Sequence, residues 1–236
     1  AWSSLATWRF RRTASGVSLA SGAACAKFAV AAWTIQALYE HARVTLLTWE
    51  TPDLESINRT FGTHLGEDDF ELQLASRPFE GAVDRLPVQA DLLRTALFSR
   101  VSRRLDAKRR FDRRVGTHNE FDFGRSGVQY VHYPWAYFPR PATEMRGYHA
   151  IPGTARIYRR SCMLVGGMSP RRIRRNRTLV NSAFVAERFR QAWGVDAEVV
   201  HPPVPGRFPN IPWADREDGV PCLGRIQPAK RTQAAA

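Results

Sequence analysis

The sequence predicts an α/β fold in which a Rossmann-like parallel sheet is covered by helices on both faces. Short apolar, β-branched runs alternate with longer segments of helical spacing, which is the pattern of strands joined by crossover helices. Strands of such a sheet are buried on both sides, so their runs need no polar alternation. Hydrophobic residues make up 44% of the 236 residues, which is enough for a substantial core.

The individual elements follow from local signals. RVTLLT at residues 43–48 is an apolar, β-branched run, and GVQYVH at residues 127–132 stops at Pro134, which cannot donate to a strand ladder. Ser182 is placed to cap the helix that follows it. The predicted strands are residues 43–48, 127–132, 162–166, 179–181 and 198–201, and the predicted helices are residues 23–41, 86–105 and 183–193.

Polar residues follow the ends of these strands. Ligands of parallel sheets bind where the strands end, and His132, Asn181, Ser182 and His201 fall there. A neutral imidazole such as His132 can hydrogen-bond a hydroxyl or accept its proton. A structural role is the alternative for His132 and His201, and helix capping is the alternative for Asn181 and Ser182.

The net charge of +13 and the isoelectric point near 10.7 favour anionic partners, namely nucleic acid, acidic lipid or phosphorylated substrates. Two stretches, residues 100–114 and 171–177, hold much of this charge. The first interleaves Val101, Leu105 and Phe111 with its charges, which suits an anionic membrane surface, and a solvated helix face is the alternative. No helix-turn-helix, zinc-finger or RNP pattern accompanies the charge, so nucleic acid is the weaker hypothesis.

Cysteine usage and hydropathy indicate the compartment. Cys25, Cys162 and Cys222 are widely separated and form neither a metal-spaced pair nor a disulfide framework, which is typical of a reducing environment. No apolar run reaches the ~18–20 residues of a membrane span, and Lys27 interrupts the apolar segment that a signal peptide would need. We therefore expect a cytoplasmic protein that can contact the inner face of the membrane peripherally.

Four segments follow one another along the chain: VTLLTWETPDLESINRTFG at 44–62, THNEFDFGRSGVQYVHYPW at 117–135, LVNSAFVAERFRQAWGVDAEVVHPPV at 179–204 and LGRIQPAKR at 223–231. Together they resemble the group 1 glycosyltransferases, which are retaining enzymes of the two-domain GT-B type. The likeness is strongest to the bacterial sugar transferases with the YVHYP loop. It implies an acceptor-side domain at residues 1–204, a linker at 205–219 and the incomplete start of a nucleotide-sugar donor domain at 220–236.

The resemblance also implies an activity and its residues. A sugar would pass, with retention, from a nucleotide-sugar donor to a lipid-linked or polysaccharide acceptor, as in polysaccharide biosynthesis. Arg225 and Lys230 would bind the donor diphosphate, since a planar guanidinium and a flexible ammonium both suit phosphate oxygens. These two cations would take the place of a metal, and no cofactor is implied. His132 is the implied catalytic residue. Asn119, Glu120 and Tyr133 are the candidate acceptor or cleft residues, and a turn-forming role is the alternative for Asn119 and Glu120.

Three features depart from the family pattern. Residues 1–23 match neither its first strand nor its Gly-rich turn. Arg113 and Arg114 stand where an apolar strand is expected, and a buried charge is costly unless it is paired. The family's paired-glutamate motif is not found in this sequence, so we expect no useful turnover from this chain alone. Two alternatives stay open: an inactive truncated gene product, and a basic module that binds nucleic acid or anionic lipid.

Overall fold

The computed structural model describes residues 25–75, 91–137, 153–204 and 211–216, which form a mixed α/β structure. Its helices are α1 (Cys25–Leu38), α2 (Leu54–Phe61), α3 (Asp91–Arg109), α4 (Thr154–Gly166), α5 (Pro170–Arg174) and α6 (Ala183–Trp193), with short 3-10 turns at Glu67–Asp69 and Trp213–Asp215. Its strands are β1 (Thr45–Thr48), β2 (Glu71–Leu74), β3 (Val115–Gly116), β4 (Val128–Val131), β5 (Arg177–Val180) and β6 (Glu198–Val199). The described strands are parallel and form two small sheets.

The first sheet pairs β1 with β2, with Thr45 opposite Glu71. All four residues of β1 are buried, as expected of a strand covered on both sides. Residues of α1, including Ile35, pack against this strand in one core cluster. Phe98 of α3 and Phe121 belong to the same cluster, so the first sheet is continuous with the rest of the core.

The second sheet has the order β3-β4-β5-β6, so its strands lie side by side in sequence order. Val128 pairs with both Val115 and Arg177, and Leu179 pairs with Glu198. Because every strand runs the same way, the four carboxyl ends meet along one edge and the four amino ends along the other. These two edges are called the carboxyl edge and the amino edge below.

Several predicted elements are confirmed. The strands predicted at 43–48 and 127–132 correspond to β1 and β4, and the cap at Ser182 is present, since its Oγ accepts the Val185 N–H at 3.3 Å. Within the predicted helix at 86–105, residues 91–105 are helical, and residues 86–90 lie outside the described part of the chain.

The strand predicted at residues 162–166 is wrong, because these residues form the last turns of helix α4. The apolar run Cys-Met-Leu-Val suggested a strand, yet Leu164 is 81% exposed while Cys162 and Gly166, one turn apart, are buried. Gly166 is required for close helix packing, since a Cβ there would lie 2.7 Å from both Cβ and the carbonyl oxygen of Ala96 on α3. The segment is therefore part of a helix that needs a small residue where it crosses α3, and it is not a strand.

The arginine pair before Gly116 is accommodated by an ion pair. Arg113 is exposed, whereas Arg114 is buried and its guanidinium contacts both carboxylate oxygens of Asp106, at 2.9 and 3.2 Å. The same guanidinium donates to the Phe111 carbonyl at 2.8 Å. The cost of burying a charge is thus offset by a paired carboxylate from α3, which the sequence pattern did not reveal.

Candidate functional site

The carboxyl edge brings together the polar residues that follow four strands. Residues 117–120 follow β3, residues 132–133 follow β4, residues 181–182 follow β5, and His201 comes shortly after β6. Loops gather at this edge of a parallel sheet, and it is where such folds bind their ligands. The residues that the sequence analysis placed at strand ends therefore occupy one continuous surface.

Asn119 joins the loop after β3 to the loop after β4. Its Oδ1 accepts the backbone N–H groups of His132 and Tyr133, both at 3.1 Å. Asn181 acts from the other side, since its Nδ2 donates to the His132 carbonyl at 3.1 Å. The backbone at His132 is thus held by one amide from each neighbouring strand end, which fixes where its side chain begins.

The His132 ring is half-buried and has a defined orientation. Its Nε2 lies 3.0 Å from the Thr117 carbonyl, and its ring meets Tyr130 edge-on at 5.1 Å between centroids. A carbonyl only accepts, so Nε2 carries the hydrogen, and in the neutral ring the lone pair is on Nδ1. His132 combines the partial exposure expected of a cleft residue with the backbone hydrogen bond expected of a structural one.

Glu120 is placed in the core and not in a cleft. Its side chain is fully buried, and its carboxylate accepts N–H groups from Trp193 at 2.9 Å, Trp135 at 3.0 Å and Ala136 at 3.3 Å. Burial raises the pKa of Glu120, and these hydrogen bonds oppose that shift. The expectation that Glu120 meets the acceptor is therefore corrected: its carboxylate holds the YVHYP loop against helix α6.

The tyrosines of the YVHYP loop take different positions. Tyr133 is half-buried at the carboxyl edge, and its ring lies 6.2 Å from that of Tyr137 in an edge arrangement. Tyr130 is buried and donates its hydroxyl to the Val200 carbonyl at 2.7 Å. Burial raises the pKa of Tyr130 to about 12, so it remains protonated at neutral pH. Tyr133 stays a candidate cleft residue, whereas Tyr130 ties β4 to β6.

The network continues across β5 to β6. Ser182 Oγ donates to Asn181 Oδ1 at 3.0 Å while it caps helix α6, and His201 Nδ1 lies 3.1 Å from the Asn181 carbonyl. Both serine and asparagine thus have local structural roles, as the capping interpretation expected. Thr117 was not singled out from the sequence, yet its carbonyl orients His132. The signal was available, since Thr117 directly follows β3.

A second buried carboxylate explains part of the charge in the two basic stretches. Asp122 is fully buried, and Arg172 contacts both of its oxygens at 2.8 to 3.0 Å. Arg103 donates to the Asp122 carbonyl at 3.1 Å and lies 3.8 Å from its carboxylate. These arginines join α3 and α5 to the loop after β3, so they serve packing and are not part of a solvated face.

Arg225 and Lys230, the expected diphosphate ligands, lie outside the described residues, as do residues 1–24 and most of the expected linker and donor segment. Within the described ranges no cluster of His, Cys, Asp and Glu has the makings of a metal site. No helix of those ranges combines the length and apolar character needed to cross a bilayer. No protein-family model, no curated protein and no solved structure matches the chain.

Proposed function

We propose that this chain forms the acceptor-side part of a retaining, GT-B type glycosyltransferase that uses a nucleotide-sugar donor. One observation supports the proposal above the others. The THNE, YVHYP and LVNS segments, on which the family resemblance rests, meet at the carboxyl edge and are joined there through Asn119, His132 and Asn181.

The chemistry of the carboxyl edge suits a ligand rich in hydroxyl groups. Its side chains are an imidazole, two amides, a serine hydroxyl and a phenol, which both donate and accept hydrogen bonds. Their backbone is fixed by the hydrogen bonds described above, so little ordering remains when a sugar binds. A parallel, Rossmann-like sheet presents such an edge as an open cleft wall.

In this proposal His132 touches the reacting sugar or the acceptor hydroxyl. The hydrogen bond from Nε2 to the Thr117 carbonyl sets the tautomer of the neutral ring. The lone pair is then on Nδ1, which is the atom that accepts a proton. Tyr133 and Asn119 flank the same surface. Arg225 and Lys230 would stabilise the charge that grows on the departing diphosphate, so no metal is needed for that role.

The acceptor would be a lipid-linked or polysaccharide glycan. The strongly basic chain is compatible with work at an anionic membrane surface, where each Lys or Arg contributes on the order of 1 kcal/mol.

Ligand-observed NMR of the full chain with a panel of uridine- and guanosine-diphosphate sugars tests the proposal. We expect binding of one donor class. The double substitution Arg225→Gln/Lys230→Gln should weaken that binding, whereas Arg59→Gln/Arg104→Gln, at two exposed arginines elsewhere, should not. Salt-sensitive binding to duplex DNA with no response to any nucleotide sugar would favour the basic-module alternative instead.

A further inference from the structure

A cleft of about 680 Å³ opens at the amino edge of the second sheet, opposite the carboxyl edge. It is lined by the residues that precede or begin β3, β4 and β5 and by the chain just after α3. The described arginines that line it are Arg110, Arg113, Arg114, Arg125, Arg175 and Arg177. Among its described lining residues, Asp112 is the only acidic one. We name this site the arginine cleft.

Some of these guanidinium groups are neutralised by nearby carboxylates. Asp106 pairs with Arg114 and lies 3.4 Å from Arg125, and Glu198 pairs with Arg177 at 2.6 Å. Within the described part of the chain, Arg110, Arg113 and Arg175 have no ion-pair partner. Like charges that outnumber the acids around them repel one another, and a bound anion would relieve that repulsion.

The walls of the arginine cleft are rigid. Val128 donates its N–H to the Arg114 carbonyl at 2.7 Å, and Arg177 donates its N–H to the Gly127 carbonyl at 2.9 Å. Gly127 allows this close packing, because a Cβ there would lie 2.7 Å from the Phe123 ring and 2.8 Å from the Arg114 carbonyl. The three amino ends are therefore joined, and the backbones of Arg114 and Arg177 are held in place before any ligand arrives.

Arg110 adds an independent observation. It is the only described residue other than glycine with a positive φ, at 46°, and its N–H closes helix α3 on the Asp106 carbonyl at 2.8 Å. This left-handed position at a helix end is one where glycine is usual and a larger side chain is strained. A large side chain there costs stability, and the cleft supplies a function for its guanidinium.

We propose that the arginine cleft binds a small ligand with several adjacent phosphate groups, such as a polyphosphate. Guanidinium groups make bidentate hydrogen bonds to phosphate oxygens, and three of them without ion-pair partners match a multiply charged ligand better than a single phosphate. The site lies at the opposite edge of the sheet from the proposed sugar site. The proposal does not rest on Arg225 and Lys230, and it stands whether or not the chain transfers a sugar.

Isothermal titration of the full chain with inorganic tripolyphosphate tests this. We expect one site per chain, and about tenfold or greater weakening in Arg113→Gln/Arg175→Gln, two exposed positions whose substitution leaves the fold intact. The matched control Arg59→Gln/Arg104→Gln removes the same charge elsewhere and should bind as wild type. Arg110→Gly should weaken binding while raising the melting temperature, since it removes both a ligand group and a strained backbone.

Three outcomes would overturn the proposal. If tripolyphosphate binding weakens equally in Arg113→Gln/Arg175→Gln and in the control, the effect comes from the overall charge and not from the cleft. If phosphatidylglycerol vesicles or duplex DNA bind through Arg113 and Arg175 and tripolyphosphate does not compete, the cleft binds a membrane surface or a nucleic acid instead. Loss of tripolyphosphate binding in Arg225→Gln/Lys230→Gln but not in the cleft variant would place the phosphate ligand at the donor site.

Discussion

The two edges of the four-stranded sheet differ in the chemistry they present. At the carboxyl edge, amide, imidazole and hydroxyl groups hydrogen-bond one another and the backbone, and Asn119 and Asn181 join three strand ends. At the amino edge, arginines line a cleft, and one of them, Arg114, is buried in an ion pair with Asp106. One edge is organised by neutral hydrogen bonds and the other by charge.

This difference shows how one sheet can offer two unlike surfaces. The side chains that precede and follow the strands therefore decide what each edge attracts. Neutral donors and acceptors favour a hydroxyl-rich ligand, and guanidinium groups favour phosphate.

The largest effect is expected at the centre of the amino edge. Asp106→Ala leaves the Arg114 guanidinium buried without its carboxylate, which should lower the free energy of unfolding by about 3–5 kcal/mol. Urea unfolding followed by circular dichroism measures the loss. Asp112→Ala, at an exposed acid beside the same cleft, is the control and should stay within about 0.5 kcal/mol of wild type. A loss in Asp106→Ala no larger than in that control would show that the pair does not organise this edge.

A smaller loss is expected at the carboxyl edge. Asn119→Ala removes the acceptor for the N–H groups of His132 and Tyr133, which should cost about 1–3 kcal/mol. Asn119→Asp keeps a side-chain oxygen in the same place and should restore most of the stability. If both substitutions destabilise equally, the backbone at His132 is held by something other than this amide oxygen.

The sequence predicted the features that are set by residues close together along the chain. It missed the contacts between residues that lie farther apart along the chain. The strand that ends before His132 and the cap at Ser182 follow from residues within a few positions, and both are observed. Glu120 looked like a cleft residue because nothing local shows that Trp193, far along the chain, donates to its carboxylate. Arg114 looked misplaced in a strand for the same reason, since its partner Asp106 lies on α3.

The buried glutamate gives the carboxyl edge a pH dependence. Burial raises the Glu120 pKa above its ordinary value of 4.5, so the folded protein binds this proton more readily than the unfolded chain. Its contribution to stability is present at low pH and is lost as the pH rises above that value. The free energy of unfolding of wild type should therefore fall relative to Glu120→Gln as the pH rises above about 4.5.

Glu187→Gln is the matched control for that titration. A hydrogen bond from Arg190 lowers the Glu187 pKa, so wild type should gain stability relative to this variant as the pH rises, which is the opposite trend. Urea midpoints across the pH series give both slopes. A wild-type curve parallel to that of Glu120→Gln would contradict the raised pKa.

The smallest stability effect is expected at His132. His132→Ala removes a half-buried ring and one hydrogen bond to the Thr117 carbonyl, so the loss should be about 1 kcal/mol. The substitution should weaken the binding of a nucleotide sugar more than it lowers stability. We expect reduced saturation-transfer signals from the sugar protons of the bound nucleotide sugar. A large loss of stability with unchanged sugar signals would assign the residue a purely structural role.

Amide chemical-shift mapping of the ¹⁵N-labelled chain during titration with a bound nucleotide sugar tests the sugar-site proposal most directly. We predict that, among the described residues, the amides perturbed by the nucleotide sugar lie along the carboxyl edge, at 117–120, 132–133, 181–182 and 201. Tripolyphosphate should instead perturb residues 110–114, 125–128 and 175–177. Perturbation by the nucleotide sugar confined to the arginine cleft, with the carboxyl edge unchanged, would contradict the proposed sugar site.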